Sequence, residues 1–362
     1  MEYTFEDKCW IWLSSVNGMT PRRFYKLLTQ AEDPQSVWEE PGEYASVLDE
    51  ATKSELMKAH TGEYMDKLFA LLDSQHIRAI PRSSDLYPDE LQHIHDAPVT
   101  LYVKGVCPLD AEKQLAIVGT RSPGYDGEKA ARSFARALAE NGVTVVSGLA
   151  RGIDTCAHSG CLDGSGRTIA VLGNGLMSVY PPENEKLAAR ILDSGGALVS
   201  EMRPWDTPTR WSFPQRNRII AGLSAATLVV EGGEKSGALI TAGYALEDGR
   251  EVFAVPGSPF NQNSAGPNKL IQNGAYPVLS HWDMLEALRW GSRPSASKPS
   301  NQVLELDENE TMVYNQLKPG AKSFDELQSS TSFPVSKLNS LLTMLTLRGV
   351  VIKLPGNLYR LA

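Results

Sequence analysis

The chain is predicted to fold around a doubly wound parallel α/β sheet. Seven short apolar runs of strand length lie between residues 112 and 290, and helix-like segments separate them. Several of the loops that follow a run collect glycine, hydroxyls or cations. Strands covered by helices on both faces read as near-continuous apolar runs, and such sheets hold ligands at the carboxyl ends of their strands.

The elements follow in order. Residues 1–75 read as helices, with the break in "DKCWIWLSSVNGMTPRRFYKLL" at Gly18 and Pro21 just inside the next helix. This is either a helix-hairpin-helix element, which holds DNA phosphates with backbone amides, or a plain helical hairpin; the acidity of the region favours the second. Residues 76–111 connect to the core, which spans 112–290. There "QLAIVG", "VTVVSG", "TIAVLG", "ALVSEM", "ATLVVEG", "EVFAVPG" and "AYPVLS" are the strands, and segments such as 126–142 and "SGALITAGYALEDGR" the helices. Residues 291–303 are a Ser/Pro-rich linker. Residues 304–362 give three helices and a hairpin turned at Pro355-Gly356-Asn357, a winged-helix-like module that suits duplex DNA or a protein contact, the charge balance favouring the contact.

Charge is uneven along the chain. The formal net charge of -8 over 362 residues comes from the first hundred, which hold 9 Lys+Arg against 18 Asp+Glu, whereas residues 101–290 hold 18 against 19. A basic patch in the core must therefore come from arrangement. No apolar run approaches the roughly 20 residues that span a bilayer, so no membrane partner is expected. Four cysteines and an acidic start without a targeting pattern fit a reducing cytoplasm.

The strand ends supply the candidate site. Gly119, Thr120 and Arg121 follow the first run and lead to a helix N-terminus, where free amides and the helix dipole attract phosphate. Ser147, Gly148 and Arg151 follow the second, and Lys235, Ser236 and Gly237 the fifth. After the fourth comes "RWSFPQRNRIIAGLS", in which Arg210, Arg216 and Arg218 alternate with Trp211 and Phe213 beside Asn217. Cations that track phosphates and aromatic faces that stack bases fit single-stranded nucleic acid. Dinucleotide and P-loop fingerprints are absent, so no cofactor is expected. Cys156, His158 and Cys161 lack a fourth ligand and read as packing residues rather than a metal site. Glu201 and Glu231 end strands, as an acid/base pair or as ion-pair partners for the arginines.

From "LAIVGTRSPGYDGEKAA" through "VVSGLARGIDTCAH", "SFPQRNRIIAGLSAATLVVEGGEKSGALITAGYALEDGREVFAVPG" and "GPNKLIQNGA", the chain resembles the DprA/Smf family, DNA processing protein A. The resemblance is strong over 110–290 and weaker in the flanking modules. It implies a Rossmann-like core, related to the wider LOG-like group, that binds single-stranded DNA, forms a homodimer and loads the RecA recombinase. The family motifs fall on Gly119 to Arg121, Arg210, Phe213, Arg216, Arg218 and Lys235 to Gly237. Enzymes of the LOG-like group carry P-G-G-x-G-T-x-x-E; here Thr241 or Ala242 stands where the catalytic Glu belongs, which implies a protein without that activity. A sensor of a small nucleotide using the same crevice is the alternative.

Overall fold

A computed structural model describes residues 3–293, 306–348, 350–354 and 356–361, in two compact units, Met1–Ser292 and Arg293–Ala362. Among the described residues the first unit holds a nine-stranded sheet. The strands are β1 (Arg78–Pro81), β2 (Thr100–Gly105), β3 (Gln114–Val118), β4 (Thr144–Ser147), β5 (Thr168–Val171), β6 (Ala197–Ser200), β7 (Ala226–Val229), β8 (Glu251–Ala254) and β9 (Tyr276–Pro277). They lie in the order β1-β2-β6-β5-β4-β3-β7-β8-β9.

The seven expected runs are β3 to β9, all parallel. The last shrinks to two residues at the sheet edge. Every residue of β3, β4, β5, β6 and β7 is buried, as a sheet covered on both faces requires. On one face the helices Ser212–Gly222 and Gly237–Glu247 bring Ile219, Ile220, Ala238 and Ala242 onto it. On the other, Tyr125–Glu140 and Ile153–Asp163 bring Ala131, Leu138, Ile153 and Ala157. Each fully buried Leu, Ile or Val is worth about 1.5–3 kcal/mol of transfer free energy.

Residues 76–111 do more than connect. β1 pairs antiparallel with β2, and β2 antiparallel with β6, so this stretch extends the sheet beyond its parallel part. The N-terminal helices close against that side: Ile11, Leu68 and Leu72 share a buried cluster with Tyr102, Leu149 and Leu198. A separate cluster holds Trp12, whose indole donates to the Ala59 carbonyl at 2.7 Å. The helix starting at Pro21 is capped by Thr20, and Gly18 turns the preceding loop with φ of 81°. No helix among the described residues is long and apolar enough to cross a membrane.

The second unit has helices Glu308–Leu317, Phe324–Thr331 and Val335–Leu347. β10 (Lys322–Ser323), β11 (Val351–Leu354) and β12 (Leu358–Leu361) pair in the order β10-β12-β11. Val313, Leu327, Leu338, Leu342 and Tyr359 form its core. The one cation of the third helix, Lys337, donates to Asn309 and lies 4.5 Å from the Phe333 ring centre. Of the expected hairpin turn, Gly356 and Asn357 have left-handed φ while Pro355 lies outside the described residues, as does the linker from residue 294 to 303.

Candidate nucleic-acid interface

The chain lays down β3 to β6 in one direction and then returns to place β7 on the other flank of β3. A crevice opens beside the carboxyl end of a strand wherever an open sheet reverses its order like this. It has a volume of about 440 Å³ and is lined from the β3 end by Gly119, Thr120 and Arg121. The loop before the 212–222 helix adds Arg210, and the far wall adds Ser236, Gly237 and Thr241.

Helical spacing decides what the 212–222 helix contributes. Phe213, Arg216, Asn217 and Ile220 line the crevice, the i, i+3, i+4, i+7 stripe of one face. Arg218 lies two residues from Arg216, roughly 200° around the axis at 3.6 residues per turn. It therefore points away. Arg218 is buried against Glu201, with N–O distances of 2.9 and 2.6 Å, and its Nε donates to the Asp96 carbonyl at 3.0 Å. The expectation that Arg218 lines the phosphate path is corrected: its cation is spent inside the protein, and Glu201 is its ion-pair partner.

Arg216 forms the floor. It is 4% exposed, and its Nη1 donates to the carbonyls of Gly148 and Val171, while Nε is buried without a partner. Burial lowers its pKa to about 10, against the pull of Asp154, so it stays charged at neutral pH. Gly148 lies beneath the guanidinium; a Cβ there would stand 2.6 Å from Arg216 Cζ, so a larger residue would push the guanidinium from its place. Ser147 is fully buried and donates to the Ile117 carbonyl at 2.7 Å, which fastens β4 to β3 and keeps its hydroxyl out of the crevice.

The rim is different. Arg121 is exposed, with Cζ 5.4 Å from the Phe213 ring centre, and Tyr180 packs on the same ring at 5.5 Å. Arg210 and Trp211 are exposed beside it, the indole at 83%. Among the described residues neither Arg121 nor Arg210 has an ion-pair partner. Arg151 is exposed and paired with Glu183 at 2.5 Å; it borders a smaller neighbouring recess with Arg121 and Tyr180. Lys235 is exposed but does not line the crevice. Asn217 donates to the Gly237 carbonyl at 3.3 Å, tying the two walls together.

Two sets of backbone amides at the strand ends are already occupied. Glu231 accepts from the Gly124 amide at 2.9 Å, at the N-terminus of the 125–140 helix. One of the amides expected there for phosphate, that of Gly124, is thus met by a carboxylate of the protein itself. Asp154 accepts from the Gly148 and Ala150 amides at 3.1 and 3.3 Å. Asp154 and Tyr180 were not singled out in the sequence. Asp154 reads there as an ordinary first-turn acid, and only its distance of six residues from Gly148 hints at the loop it folds back to hold.

His158 lies fully buried, its Nδ1 2.7 Å from the Thr168 hydroxyl and its Nε2 without a partner, and it belongs to no metal cluster among the described residues. Burial, and next the Arg216 charge, push its pKa down to about 3. A depressed histidine contributes stability that is present above its ordinary 6.5 and is lost as pH falls toward 3. Asp154 works oppositely, because burial raises it to about 6 and its share is lost as pH rises through that value. The urea midpoint of a His158→Gln variant, relative to the native chain, is therefore expected to rise as pH falls from about 7 to about 5. A pH-independent difference would show that His158 is not held neutral.

Fold and crevice define a Rossmann-like protein with a cationic crevice at the switch point of its sheet. The chain belongs to the DprA/Smf family of DNA processing proteins: a family model described as DNA recombination-mediator protein A matches residues 78–289. A second, the DprA winged helix domain, matches residues 296–357. Protein Smf of Escherichia coli is 40% identical over 300 residues, 80% of this chain and 79% of that one. The crystal structure of DNA processing protein A from Streptococcus pneumoniae superposes with a TM-score of 0.67 at 36% identity, over 79% of this chain and 98% of that one. A Helicobacter pylori homologue, described for its single-stranded DNA binding mode, superposes with a TM-score of 0.53 at 28% identity, over 59% and 97%.

Proposed function

We propose that the crevice binds single-stranded DNA without chemical change to it, and that the bound strand is passed to the RecA recombinase by a homodimer of this chain. The observation that carries the reading is the rim: two exposed, unpaired arginines, Arg121 and Arg210, beside a Phe213 ring and an exposed Trp211. Cations track phosphates, and flat aromatic faces accept bases that a duplex keeps stacked. Gly119, Thr120, Ser236 and Gly237 bring backbone close to the strand, and Arg216 sets the potential from below. The relatives named above support the ligand. The partner RecA and the second copy follow from the family resemblance.

A non-catalytic role rests on the crevice chemistry. Asp154 is the one carboxylate lining it among the described residues, and both its amide bonds are structural. Thr241, which also lines it, offers no acid.

Fluorescence anisotropy with labelled oligothymidine tests the reading. Binding is expected to exceed that of duplex, to weaken steeply as salt rises, and to fall about tenfold or more in Arg121→Ala and Arg210→Ala. RecA filament formation on strands coated with a single-strand-binding protein, with and without this chain, tests loading. A folded chain that binds no oligothymidine would sink the proposal.

A further inference from the structure

The loop after β4 has the shape of an anion seat. Leu149 has φ of 55° and Gly152 φ of 78°, so the backbone curls and the Gly148 and Ala150 amides converge. Left-handed residues in such a turn create a concavity of N–H groups that takes phosphate or carboxylate. At the switch point of a doubly wound sheet, a seat of this kind is where the phosphate of a free nucleotide settles.

Here the seat is filled from within. Asp154, 6% exposed, spends Oδ2 on both amides and faces the crevice with Arg216. A carboxylate thus sits on the loop amides beside Arg216 at the floor, while the unpaired cations lie on the rim. A strand crossing the rim presents one negative charge per phosphate and needs no place on the floor. A mononucleotide has only its terminal phosphate to offer. That group is more highly charged, and to reach the loop amides it must displace a buried carboxylate.

We propose that Asp154 is a specificity-determining residue: its carboxylate occupies the loop's anion seat, so the crevice accepts the phosphodiester backbone of a strand and rejects the phosphates of free nucleotides. This rests on the single-strand reading above. Glu231 likewise takes the Gly124 amide just ahead of the 125–140 helix.

Protonation provides an independent handle. Burial holds the Asp154 carboxyl at about 6. The groups facing it include Arg216 from the 212–222 helix, the Ser147 hydroxyl from β4, the Cys156 thiol from its own helix, whose pKa burial raises, and Arg121 beyond Arg216. His158, further along the same helix, stays neutral throughout this range.

The test displaces labelled oligothymidine with ATP and with thymidine monophosphate, and titrates both nucleotides directly by calorimetry. The native chain at about pH 7.5 should resist both competitors. Asp154→Asn keeps an acceptor for the amides and removes the charge, and it should bind them about tenfold tighter or more, with oligothymidine affinity changed less than about threefold. Glu140→Gln, on a surface ion pair, should change neither. At about pH 5.5 the native chain should move toward the variant, and the variant should gain less. Should Asp154→Asn not fold, this pH series decides alone. Native binding of ATP as tight as that of the variant, or no gain at either pH, overturns the proposal. If oligothymidine itself fails to bind, the single-strand reading falls, and calorimetry still reports whether Asp154 excludes nucleotides.

Discussion

Arg216→Ala is expected to lose both stability and strand binding, whereas Arg121→Ala loses binding alone. Arg216 is buried, and it is the donor to two carbonyls and the cation facing Asp154. Its removal leaves the Gly148 and Val171 carbonyls without their donor, takes away the charge that draws the buried Asp154 carboxyl down, and opens a void above Gly148. Breaking a buried charge arrangement from one side costs about 3–5 kcal/mol, read as a lower urea midpoint. Arg121 is exposed and lies over the Phe213 face, so its loss should shift stability by no more than about 0.5 kcal/mol. If Arg216→Ala proved as stable as the native chain, the assignment of Arg216 to the floor would be wrong.

The second large effect concerns Glu201 and Arg218, whose side chains are 7% and 5% exposed. Glu201→Ala strands a buried guanidinium and should cost about 3–5 kcal/mol, while the double variant Glu201→Leu, Arg218→Met should come close to neutral. With Glu201→Leu and Arg218→Met also measured singly, the cost of the double variant less the sum of the two single costs gives the coupling energy. Oligothymidine affinity should survive in the double variant. A stable double variant that has lost the strand would return Arg218 to the ligand path.

Sequence pattern and structure agree where periodicity is strong. All seven parallel strands can be read from short apolar runs, five of which end in a glycine that opens the loop at the carboxyl end. β1 and β2 escape because they lie outside the strand–helix alternation; Pro81 closes β1, and the helix between them has four residues. The fate of each arginine was partly legible. In "QRNRII" the two lie two residues apart, and a helix cannot turn both toward one crevice. Which of them faced the crevice depended on Glu201, distant in sequence and indistinguishable there from a catalytic acid. The internal carboxylates on the helix starts were hidden for the same reason: the bonds from Glu231 to Gly124 and from Asp154 to Gly148 depend on loops that only the assembled sheet brings into register.

The pairing of β3 with β7 joins residues 115–118 to 226–229, and this long reach sets when the protein becomes competent during its synthesis. Arg121 leaves the ribosome early and β4 to β6 can assemble beside β3, but Arg210, Phe213 and the Ser236–Gly237 wall follow much later. Long-range parallel pairing is slow to form because loop closure must precede any contact that rewards it. An unfinished chain therefore carries Arg121 without the walls that complete the crevice around it.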